Sequence, residues 1–392
     1  MKEFLEGSHA IAQVIKSCRP GVISAYPITP QTHIVEDLAQ MVANQELHAQ
    51  FVNVESEHSA ASVVLGAEAT GVRSYTATSS QGLLLMAEVV FNIAGLRLPV
   101  VMTTANRAVS APINIWNDQQ DVMAVRDSGW VLLFAESIQE AVDLHLQAYK
   151  IGEDPRIMLP VMVNMDGFIL THGMEVVDMP SQEEVDKYLP SYNTTYKLDI
   201  EHPQTMGYLA DPDYYLEIRY LVQQTQQELL GIIPQVAKEF QKTFGRESGG
   251  LIQTYRMEDA DQAFVAAGSV CGTIRDAIDE LRSKGRKVGL VKIATYRPFP
   301  KDAVAAALKN VREVAVVDKS VSLGGFGPFY TDLTSSLSFL AGKMPKVSGF
   351  ILGLGGRDIR VGSIHDVYEK LGGKQVDCEF IGLKQELLAE TE

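Results

Sequence analysis

The sequence Val54-Glu55-Ser56-Glu57-His58-Ser59-Ala60-Ala61 joins an apolar segment at residues 51–54 to a run of small residues that ends at Gly71. The apolar segment is typical of a buried strand, and the run of Ala, Ser, Gly and Val predicts a helix that packs closely against its neighbours. Ser56 is suited to cap this helix, which places Glu57 in the first turn. A carboxylate therefore lies where a strand passes into a helix, and open α/β sheets bind ligands at such strand ends.

Outward from this stretch, apolar strands alternate with helical periodicity, which predicts parallel sheets with helices on both faces. The alternation fades at about residue 177, where we expect an excursion and then a long helix to about residue 245, with a potential break at Pro234. The residues 245–250 are predicted to be a linker. We therefore expect two α/β domains, a larger one at residues 1–250 and a smaller one at residues 251–392.

Composition excludes several classes of function. The net charge of −15 over 392 residues argues against nucleic acid as a partner. No apolar run reaches the length of a membrane span and the N-terminus does not resemble a signal peptide, so we expect a cytoplasmic protein without membrane contact. The three cysteines form no Cys-x-x-Cys pair, and His58 and His172 lack spaced partners, so we predict no metal ligands in this chain.

Three polar residues each follow a different predicted strand of the first domain. Thr29 lies in the loop Tyr26-Pro27-Ile28-Thr29-Pro30, where two prolines restrict the backbone. Glu57 and Arg107 follow two other strands. If these strands are neighbours in one parallel sheet, all three residues meet at one edge. The planar guanidinium of Arg107 is suited to bind both oxygens of a carboxylate.

Each candidate also has a purely structural interpretation. Glu57 could only complement the helix dipole, and Arg107 could pair with Asp118 or Asp121. The glycines at 324–327 and 353–356 could hold a phosphate, but neither cluster has the pattern G-x-G-x-x-G, so tight turns are favoured. Residue patterns alone predict a two-domain α/β protein with an anion-binding site at strand ends, and they do not identify a reaction.

Several motifs of the chain, in this order and spacing, resemble the α subunits of 2-oxoacid:ferredoxin oxidoreductases, most closely those of pyruvate:ferredoxin oxidoreductase. The resemblance covers nearly the whole chain. The motifs are Tyr26-Pro27-Ile28-Thr29-Pro30-Gln31-Thr32, Glu55-Ser56-Glu57-His58-Ser59-Ala60, Thr78-Ser79-Ser80-Gln81-Gly82-Leu83, Asn106-Arg107-Ala108-Val109-Ser110-Ala111-Pro112-Ile113-Asn114, Asp127-Ser128-Gly129-Trp130, Asp166-Gly167-Phe168, Thr295-Tyr296-Arg297-Pro298-Phe299-Pro300 and Gly353-Leu354-Gly355-Gly356-Arg357-Asp358.

The resemblance implies a pyrimidine-type thiamine diphosphate-binding domain followed by a transketolase-C-like α/β domain. It also implies that the cofactor is shared between chains. A β subunit would hold the diphosphate and Mg²⁺, and the [4Fe-4S] clusters would belong to the β subunit and to a ferredoxin-like δ subunit. A γ subunit would complete the complex, so this chain itself would ligate neither Mg²⁺ nor a cluster.

The resemblance also assigns roles to residues. It implies that Glu57 hydrogen-bonds N1′ of the thiamine aminopyrimidine, that Arg107 binds the carboxylate of the 2-oxoacid, and that Thr29 hydrogen-bonds the same substrate. Glu55, at the end of the same strand, is the alternative to Glu57. Further contacts implied with the cofactor are those of Tyr26, Pro27 and Ile28, and the residues implied to shape a substrate pocket are Ile28, Ile113 and Trp116.

The implied activity is the reversible oxidative decarboxylation of pyruvate with coenzyme A to acetyl-CoA and CO₂, with electrons passed to ferredoxin, in the assembled complex only. Threonine at position 29, where an arginine would add a second cation, argues against a dicarboxylate such as oxalate. Branched-chain 2-oxoacids such as 2-oxoisovalerate are the nearest alternative substrates. Two further hypotheses are a non-catalytic scaffolding subunit and a separate enzyme that binds a nucleotide at Gly324–Gly327.

Overall fold

The computed structural model describes residues 2–338 and 344–389, which form two compact units. The first unit contains the described residues up to Leu251 together with Ala294–Pro300. The second contains Ile252–Ile293 and the described residues from Lys301 onward. The segment 294–300, which the sequence analysis places in the second domain, therefore lies with the first.

The first 251 residues contain eight strands and nine helices among the described residues. In chain order they are β1 (Lys2–Glu6), α1 (Gly7–Cys18), β2 (Val22–Ser24), α2 (Thr32–Ala43), β3 (Gln50–Val52), α3 (Glu57–Ala69), β4 (Ser74–Thr78), α4 (Ser80–Leu85), α5 (Ala87–Gly95), β5 (Val101–Asn106), α6 (Gln120–Ala124), β6 (Val131–Phe134), α7 (Ile138–Gly152), β7 (Val161–Asp166), β8 (Met174–Asp178), α8 (Gln182–Tyr188) and α9 (Pro212–Phe244).

The later part of the chain alternates strands and helices again. Its elements are β9 (Ile252–Tyr255), β10 (Gln262–Ala266), α10 (Val270–Ser283), β11 (Val288–Ile293), β12 (Thr295–Arg297), α11 (Lys301–Leu308), β13 (Glu313–Asp318), α12 (Pro328–Leu337), β14 (Lys346–Ile351), α13 (Val361–Leu371), β15 (Glu379–Phe380) and α14 (Gln385–Ala389).

The first unit is built on a seven-stranded sheet with the order β12-β6-β7-β5-β4-β2-β3. All neighbouring pairs are parallel except β12 with β6. β4, β5 and β7 are buried along their whole length because helices cover both faces of the sheet. The helix α7 is buried on nearly every side, since it packs against β7, α1 and α9.

The second unit has a six-stranded sheet with the order β15-β14-β13-β10-β11-β9, in which only β9 is antiparallel among the described strands. Its core lies between this sheet and helices α10 and α13, with Phe264, Leu290 and Phe350 fully buried. The expected parallel α/β organisation of both parts of the chain is confirmed.

The structure corrects three local predictions. The sequence of residues 82–94 predicts one helix, and the structure divides it into two shorter helices, α4 and α5, which a turn at Met86 (φ −78°, ψ −10°) joins. The helix α9 continues through Pro234, since its apolar face stays buried on both sides of the proline, at Leu229 and Phe240. The excursion that begins near residue 177 contains α8 and overlaps β8, which pairs antiparallel with β1.

None of the helices in residues 2–338 and 344–389 combines the length and the apolar character needed to cross a membrane.

Candidate functional site

The carboxyl ends of β3, β2, β4 and β5 lie side by side, because these strands are neighbours and parallel. The sequence predictions place Glu57 after β3, Thr29 after β2 and Arg107 after β5. The turn that begins α4 follows β4, and β4 lies between β2 and β5 in the sheet, so this turn lies between Thr29 and Arg107. The fold therefore brings the three predicted residues to one edge of one sheet.

Glu57 is the first residue of α3 and is 7% exposed. The Ser56 side chain caps the helix by accepting a hydrogen bond from the Ser59 backbone N–H at 3.2 Å, as the sequence predicts. Glu57 is directed at the start of α4, since a Cβ at Gly82 would lie 2.7 Å from Glu57 Oε1 and 2.6 Å from Thr78 Oγ1. No group in the described chain forms a hydrogen bond or ion pair with the Glu57 carboxylate.

Other polar atoms near this edge are also buried without a partner. Within residues 2–338 and 344–389, Thr78 Oγ1, Gln31 Oε1 and Asn106 Oδ1 are inaccessible to solvent and accept or donate no hydrogen bond. Buried polar groups in proteins are nearly always satisfied, so a group of unsatisfied ones beside an unpaired carboxylate indicates a site that a polar ligand completes.

Glu55 is the alternative carboxylate, and its surroundings differ. Its side chain is exposed and accepts a hydrogen bond from Ser59 Oγ at 2.5 Å, which lowers the pKa of the Glu55 carboxyl. A solvated and already hydrogen-bonded carboxylate has little need of another partner. The geometry therefore favours Glu57 over Glu55 as the ligand-binding carboxylate.

Arg107 is 6% exposed, and backbone carbonyls hold two of its guanidinium nitrogens. Its Nη1 donates to the Thr29 carbonyl and its Nε donates to the Asn114 carbonyl, each at 2.9 Å. Burial lowers the pKa of the guanidinium. No carboxylate of the described chain forms an ion pair with it, and Nη2 makes no hydrogen bond there. An arginine held in this way has a positive charge available for an anion.

The loop between β2 and α2 presents the other predicted residues. Tyr26, Pro27 and Thr29 are exposed, and Ile28 is half-buried. The Gln31 side chain, which sequence reasoning missed, fastens this loop to the sheet because its Nε2 donates to the carbonyls of Tyr26 (3.1 Å) and Ala77 (2.8 Å). The sequence signal that pointed to Gln31 was its place in the motif Tyr26-Pro27-Ile28-Thr29-Pro30-Gln31-Thr32.

Asp121 is a second residue whose role the sequence analysis did not identify, since it was considered only as an ion-pair partner of Arg107. Its fully buried carboxylate accepts hydrogen bonds from the backbone N–H groups of Ser80 (3.0 Å) and Arg107 (2.9 Å) and from Asn106 Nδ2 (3.0 Å). Burial raises the pKa of Asp121 to about 7. Asp121 thus joins the turn after β4 to the end of β5 and positions the Arg107 backbone.

The segment after Arg107 places apolar side chains at the surface beside this edge. Ile113 is 80% exposed and Trp116 is 51% exposed. The Trp116 ring contacts the Phe168 ring, with centroids 4.6 Å apart, so it rests against the loop after β7. The Ala108 backbone N–H donates to the Trp116 carbonyl at 3.0 Å, which closes the loop.

The glycines of the second unit serve turns. Gly324, Gly353, Gly355 and Gly356 have positive φ angles. At the N-terminus of α12, the Asp318 carboxylate accepts hydrogen bonds from the backbone N–H groups of Phe329 (2.9 Å) and Tyr330 (3.1 Å). The amides that a phosphate would need at this helix end are therefore already occupied, which disfavours a nucleotide site at Gly324–Gly327.

Two family models match the chain, one over each of its two parts. A family model described as "Pyruvate flavodoxin/ferredoxin oxidoreductase, thiamine diP-bdg" matches residues 13–238. A second model, "Pyruvate:ferredoxin oxidoreductase core domain II", matches residues 260–364.

Three curated proteins illustrate the relatives. Pyruvate synthase subunit PorA of Methanosarcina barkeri is 50% identical over 391 residues, which is 98% of this chain and 97% of that protein. The subunit of the same name from Methanothermobacter thermautotrophicus is 48% identical over 382 residues, or 97% and 98%. Ketoisovalerate oxidoreductase subunit VorA of Pyrococcus horikoshii is 42% identical over 372 residues, or 95% and 94%.

Two solved structures share the fold. The 2-oxoglutarate:ferredoxin oxidoreductase from Magnetococcus marinus, with 2-oxoglutarate, coenzyme A and succinyl-CoA bound, aligns with a TM-score of 0.73 at 20% identity. The alignment covers 94% of this chain and 65% of that chain. A split-gene transketolase, an inactive β4 tetramer, aligns with a TM-score of 0.55 at 11% identity, covering 94% and 98%. These likenesses and the family models confirm the expected fold class.

Proposed function

Because the chain belongs to the pyruvate flavodoxin/ferredoxin oxidoreductase family, we propose that it is the α subunit of a pyruvate:ferredoxin oxidoreductase. In that role it contributes half of a thiamine diphosphate site and the binding group for the substrate carboxylate. The reaction is the reversible oxidative decarboxylation of pyruvate with coenzyme A to acetyl-CoA and CO₂, with electrons passed to ferredoxin. The β, γ and δ subunits complete the enzyme.

The observation that carries this proposal is the buried and unpartnered carboxylate of Glu57. A carboxylate on a largely buried residue loses part of its hydration, and without a hydrogen bond from the chain this loss costs free energy. A ligand that donates a hydrogen bond to the Glu57 carboxylate, or shares a proton with it, would remove that cost. Gly82 leaves room for the carboxylate, and Thr78 Oγ1 lies close to the same point. The residues therefore fit a flat, polar heterocycle such as the aminopyrimidine of thiamine.

Bound thiamine diphosphate supplies the carbanion-stabilising chemistry that decarboxylation of a 2-oxoacid requires. The part played by Glu57 is to hold a proton at N1′ of the aminopyrimidine. Tyr26, Pro27 and Ile28, in the loop that Gln31 fastens to the sheet, border the ring. The diphosphate and Mg²⁺ are assigned to the β subunit.

Arg107 and Thr29 are the proposed substrate-binding residues. The guanidinium has lost solvent through burial, and two of its nitrogens are held in place by carbonyls. An incoming carboxylate therefore meets a pre-oriented cation whose Nη2 is unbound. Arg107 donates a hydrogen bond to the backbone carbonyl of Thr29. The exposed Thr29 side chain is therefore near the guanidinium and is placed to hydrogen-bond the same substrate.

The first experiment tests Glu57 in the co-purified complex. Glu57→Ala should abolish pyruvate-dependent reduction of a viologen dye, while size-exclusion chromatography shows that the subunits stay associated. Glu55→Ala is the matched control, because Glu55 is exposed and bonded to Ser59, and it should retain activity. Full activity of Glu57→Ala in the intact complex would disprove the assignment.

The second experiment tests Arg107. Arg107→Ala should lower kcat/KM for pyruvate at least tenfold, which corresponds to about 1.4 kcal/mol of lost transition-state binding. Arg156→Ala removes an exposed arginine that pairs with Asp154 and should leave kcat/KM unchanged. Unchanged kinetics in Arg107→Ala would exclude it from the site.

A branched-chain 2-oxoacid is the second candidate substrate, since a ketoisovalerate oxidoreductase subunit is also similar over nearly the full length. Measuring kcat/KM for pyruvate, 2-oxoisovalerate, 2-oxoglutarate and oxalate distinguishes a pyruvate-specific enzyme from one specific for branched-chain 2-oxoacids. The kcat/KM for pyruvate should be the highest. A higher kcat/KM for 2-oxoisovalerate would make 2-oxoisovalerate the proposed substrate instead of pyruvate. A non-catalytic scaffolding subunit would leave the activity of the complex insensitive to Glu57→Ala.

A further inference from the structure

Three potential metal ligands meet at the surface of the first unit, and they come from three separate segments. Glu6 ends β1, His33 lies in the first turn of α2, and His172 lies in the loop between β7 and β8. One ligand atom from each residue lies within 4.8 Å of the other two. The Glu6 Oε1 to His33 Nδ1 distance is 2.7 Å, and the rings of His33 and His172 have centroids 4.8 Å apart.

The backbone holds two of these residues in place. The Gly7 N–H donates to the Gly173 carbonyl at 3.1 Å, and the Ser8 N–H donates to the Thr171 carbonyl at 2.8 Å. Glu6 and His172 are therefore fixed on neighbouring segments, one residue from these bonds. A Cβ at Gly7 would overlap the Leu170 carbonyl, so only glycine permits this close approach. The cluster is a product of the tertiary fold.

His172 also has the kind of supporting contact that is typical of histidine ligands. Its Nδ1 lies 2.7 Å from Thr171 Oγ1, which accepts a hydrogen bond from the Phe168 N–H. When Nδ1–H donates to Oγ1, the lone pair of Nε2 is left for a metal. Burial and the nearby His33 lower the pKa of His172. The Phe168 ring packs against the same imidazole at 4.8 Å.

The distances suit a small tetrahedral ion. Donors at about 2.0–2.1 Å from a tetrahedral Zn²⁺ are about 3.3 Å from one another. The observed separations, from 2.7 Å to at most 4.8 Å, bracket this value. Two imidazoles and one carboxylate favour zinc and its neighbours over Mg²⁺ or Ca²⁺, which prefer oxygen ligands.

We propose that Glu6, His33 and His172 form a binding site for a divalent transition-metal ion of the Zn²⁺ type. The ion takes the place of the proton that Glu6 and His33 share. It cross-links the N-terminal strand, the first turn of α2 directly after the 26–31 loop, and the loop that carries Phe168. The site shares no residue with the proposed thiamine site, and its existence does not depend on the proposed function.

The test is a Zn²⁺ titration of the purified full-length chain against a chromophoric zinc chelator at neutral pH. We expect one site for Zn²⁺ and no competition from Mg²⁺. Glu6→Gln, His33→Ala and His172→Ala should each weaken Zn²⁺ binding at least tenfold. Binding of Co²⁺ to the same site should give a visible absorption spectrum that these substitutions abolish.

Matched controls address adventitious binding. His202 lies 3.3 Å from Asp199, and no third ligand joins this pair in the part of the chain that the structure describes, so His202→Ala should not change the titration. Cys378→Ser, which removes a partly exposed thiol, should not change it either. Circular dichroism verifies that each variant is folded. Absence of Zn²⁺ binding, or equal binding by the wild-type chain and by Glu6→Gln and His172→Ala, would overturn the proposal.

Discussion

At the scale of single residues, Gly82 determines the space available to the Glu57 carboxylate. A Cβ at this position would lie 2.7 Å from Glu57 Oε1 and 2.6 Å from Thr78 Oγ1, which is closer than real Cβ atoms approach such neighbours. Gly82 lies in α4, whose first residue, Ser80, has a strained positive φ angle of 49°. Position 82 requires glycine because Glu57 and Thr78 come so close to it, since its φ angle is not in the left-handed region that favours glycine.

Gly82→Ala should therefore displace Glu57, lower the activity of the complex at least tenfold and destabilise the chain by about 1–3 kcal/mol, the usual cost of overpacking. Gly66→Ala is the matched control, because Gly66 lies in the neighbouring helix α3 and its Cβ would meet no atom within 4 Å. That substitution should keep full activity and stabilise the chain by up to about 1 kcal/mol. Dye-reduction kinetics and urea denaturation measure both effects. Wild-type activity of Gly82→Ala would show that Glu57 tolerates displacement.

At the scale of elements, the N-terminus of α12 is capped by a buried carboxylate. Asp318 ends β13 and accepts from two backbone N–H groups of the helix, and burial raises its pKa from the usual value of 3.8 to about 7. The folded state thus binds the Asp318 proton more tightly than the unfolded state. Its contribution to stability is complete below about pH 4 and is lost as the pH rises through about 7.

Asp318→Asn should remove this dependence, because a neutral amide oxygen still accepts a hydrogen bond and never ionises. Relative to the wild-type chain, the variant should gain stability between pH 5 and pH 8, on the order of a few kcal/mol. Urea denaturation at the two pH values measures the difference. Asp302→Asn, an exposed change in the first turn of α11, is the control and should show a much smaller pH-dependent difference. A constant offset for Asp318→Asn across pH would contradict the argument.

At the scale of the whole molecule, the chain leaves the first unit after Leu251, builds β9 to β11 of the second, and returns at Ala294–Pro300. The returning strand β12 pairs antiparallel with β6 at the edge of the first sheet. Tyr296 on this strand is fully buried and contacts the rings of Phe134 (6.3 Å) and Phe299 (5.9 Å) in edge-to-face orientation. The stability of the first unit therefore depends on residues beyond its apparent end.

Tyr296→Ala should destabilise the first unit by about 3–5 kcal/mol, the usual cost of truncating a buried aromatic side chain. Hydrogen exchange followed by mass spectrometry should show faster exchange in β6 and β7, with β10 and β13 little changed. Phe264→Ala, in the core of the second unit, should give the opposite pattern. If Tyr296→Ala accelerated exchange mainly in β10 and β13, the assignment of residues 294–300 to the first unit would fail.

The sequence by itself determined the features that depend on local pattern. Apolar strands between helices with caps such as Ser56 define parallel α/β units, and they place Thr29, Glu57 and Arg107 each at the end of a strand. That these strands are neighbours, so that the three residues meet at one edge, is given by the sheet order of the structure. The motifs also identified the family. Each of these features is encoded within a few residues of chain or in the direction of the strands.

Only the tertiary structure decided which distant segments meet. β1 pairs with β8 across about 170 residues, β12 joins the first sheet, and the buried carboxylate of Asp121 ties two loops together. Short strands and single polar residues carry little local signal, because their partners are selected by burial and hydrogen-bond satisfaction in the packed chain. For the same reason the position of Glu57 in the sequence leaves open whether it complements the helix dipole or binds a ligand, and only packing shows that it is a largely buried residue whose carboxylate has no partner in the described chain.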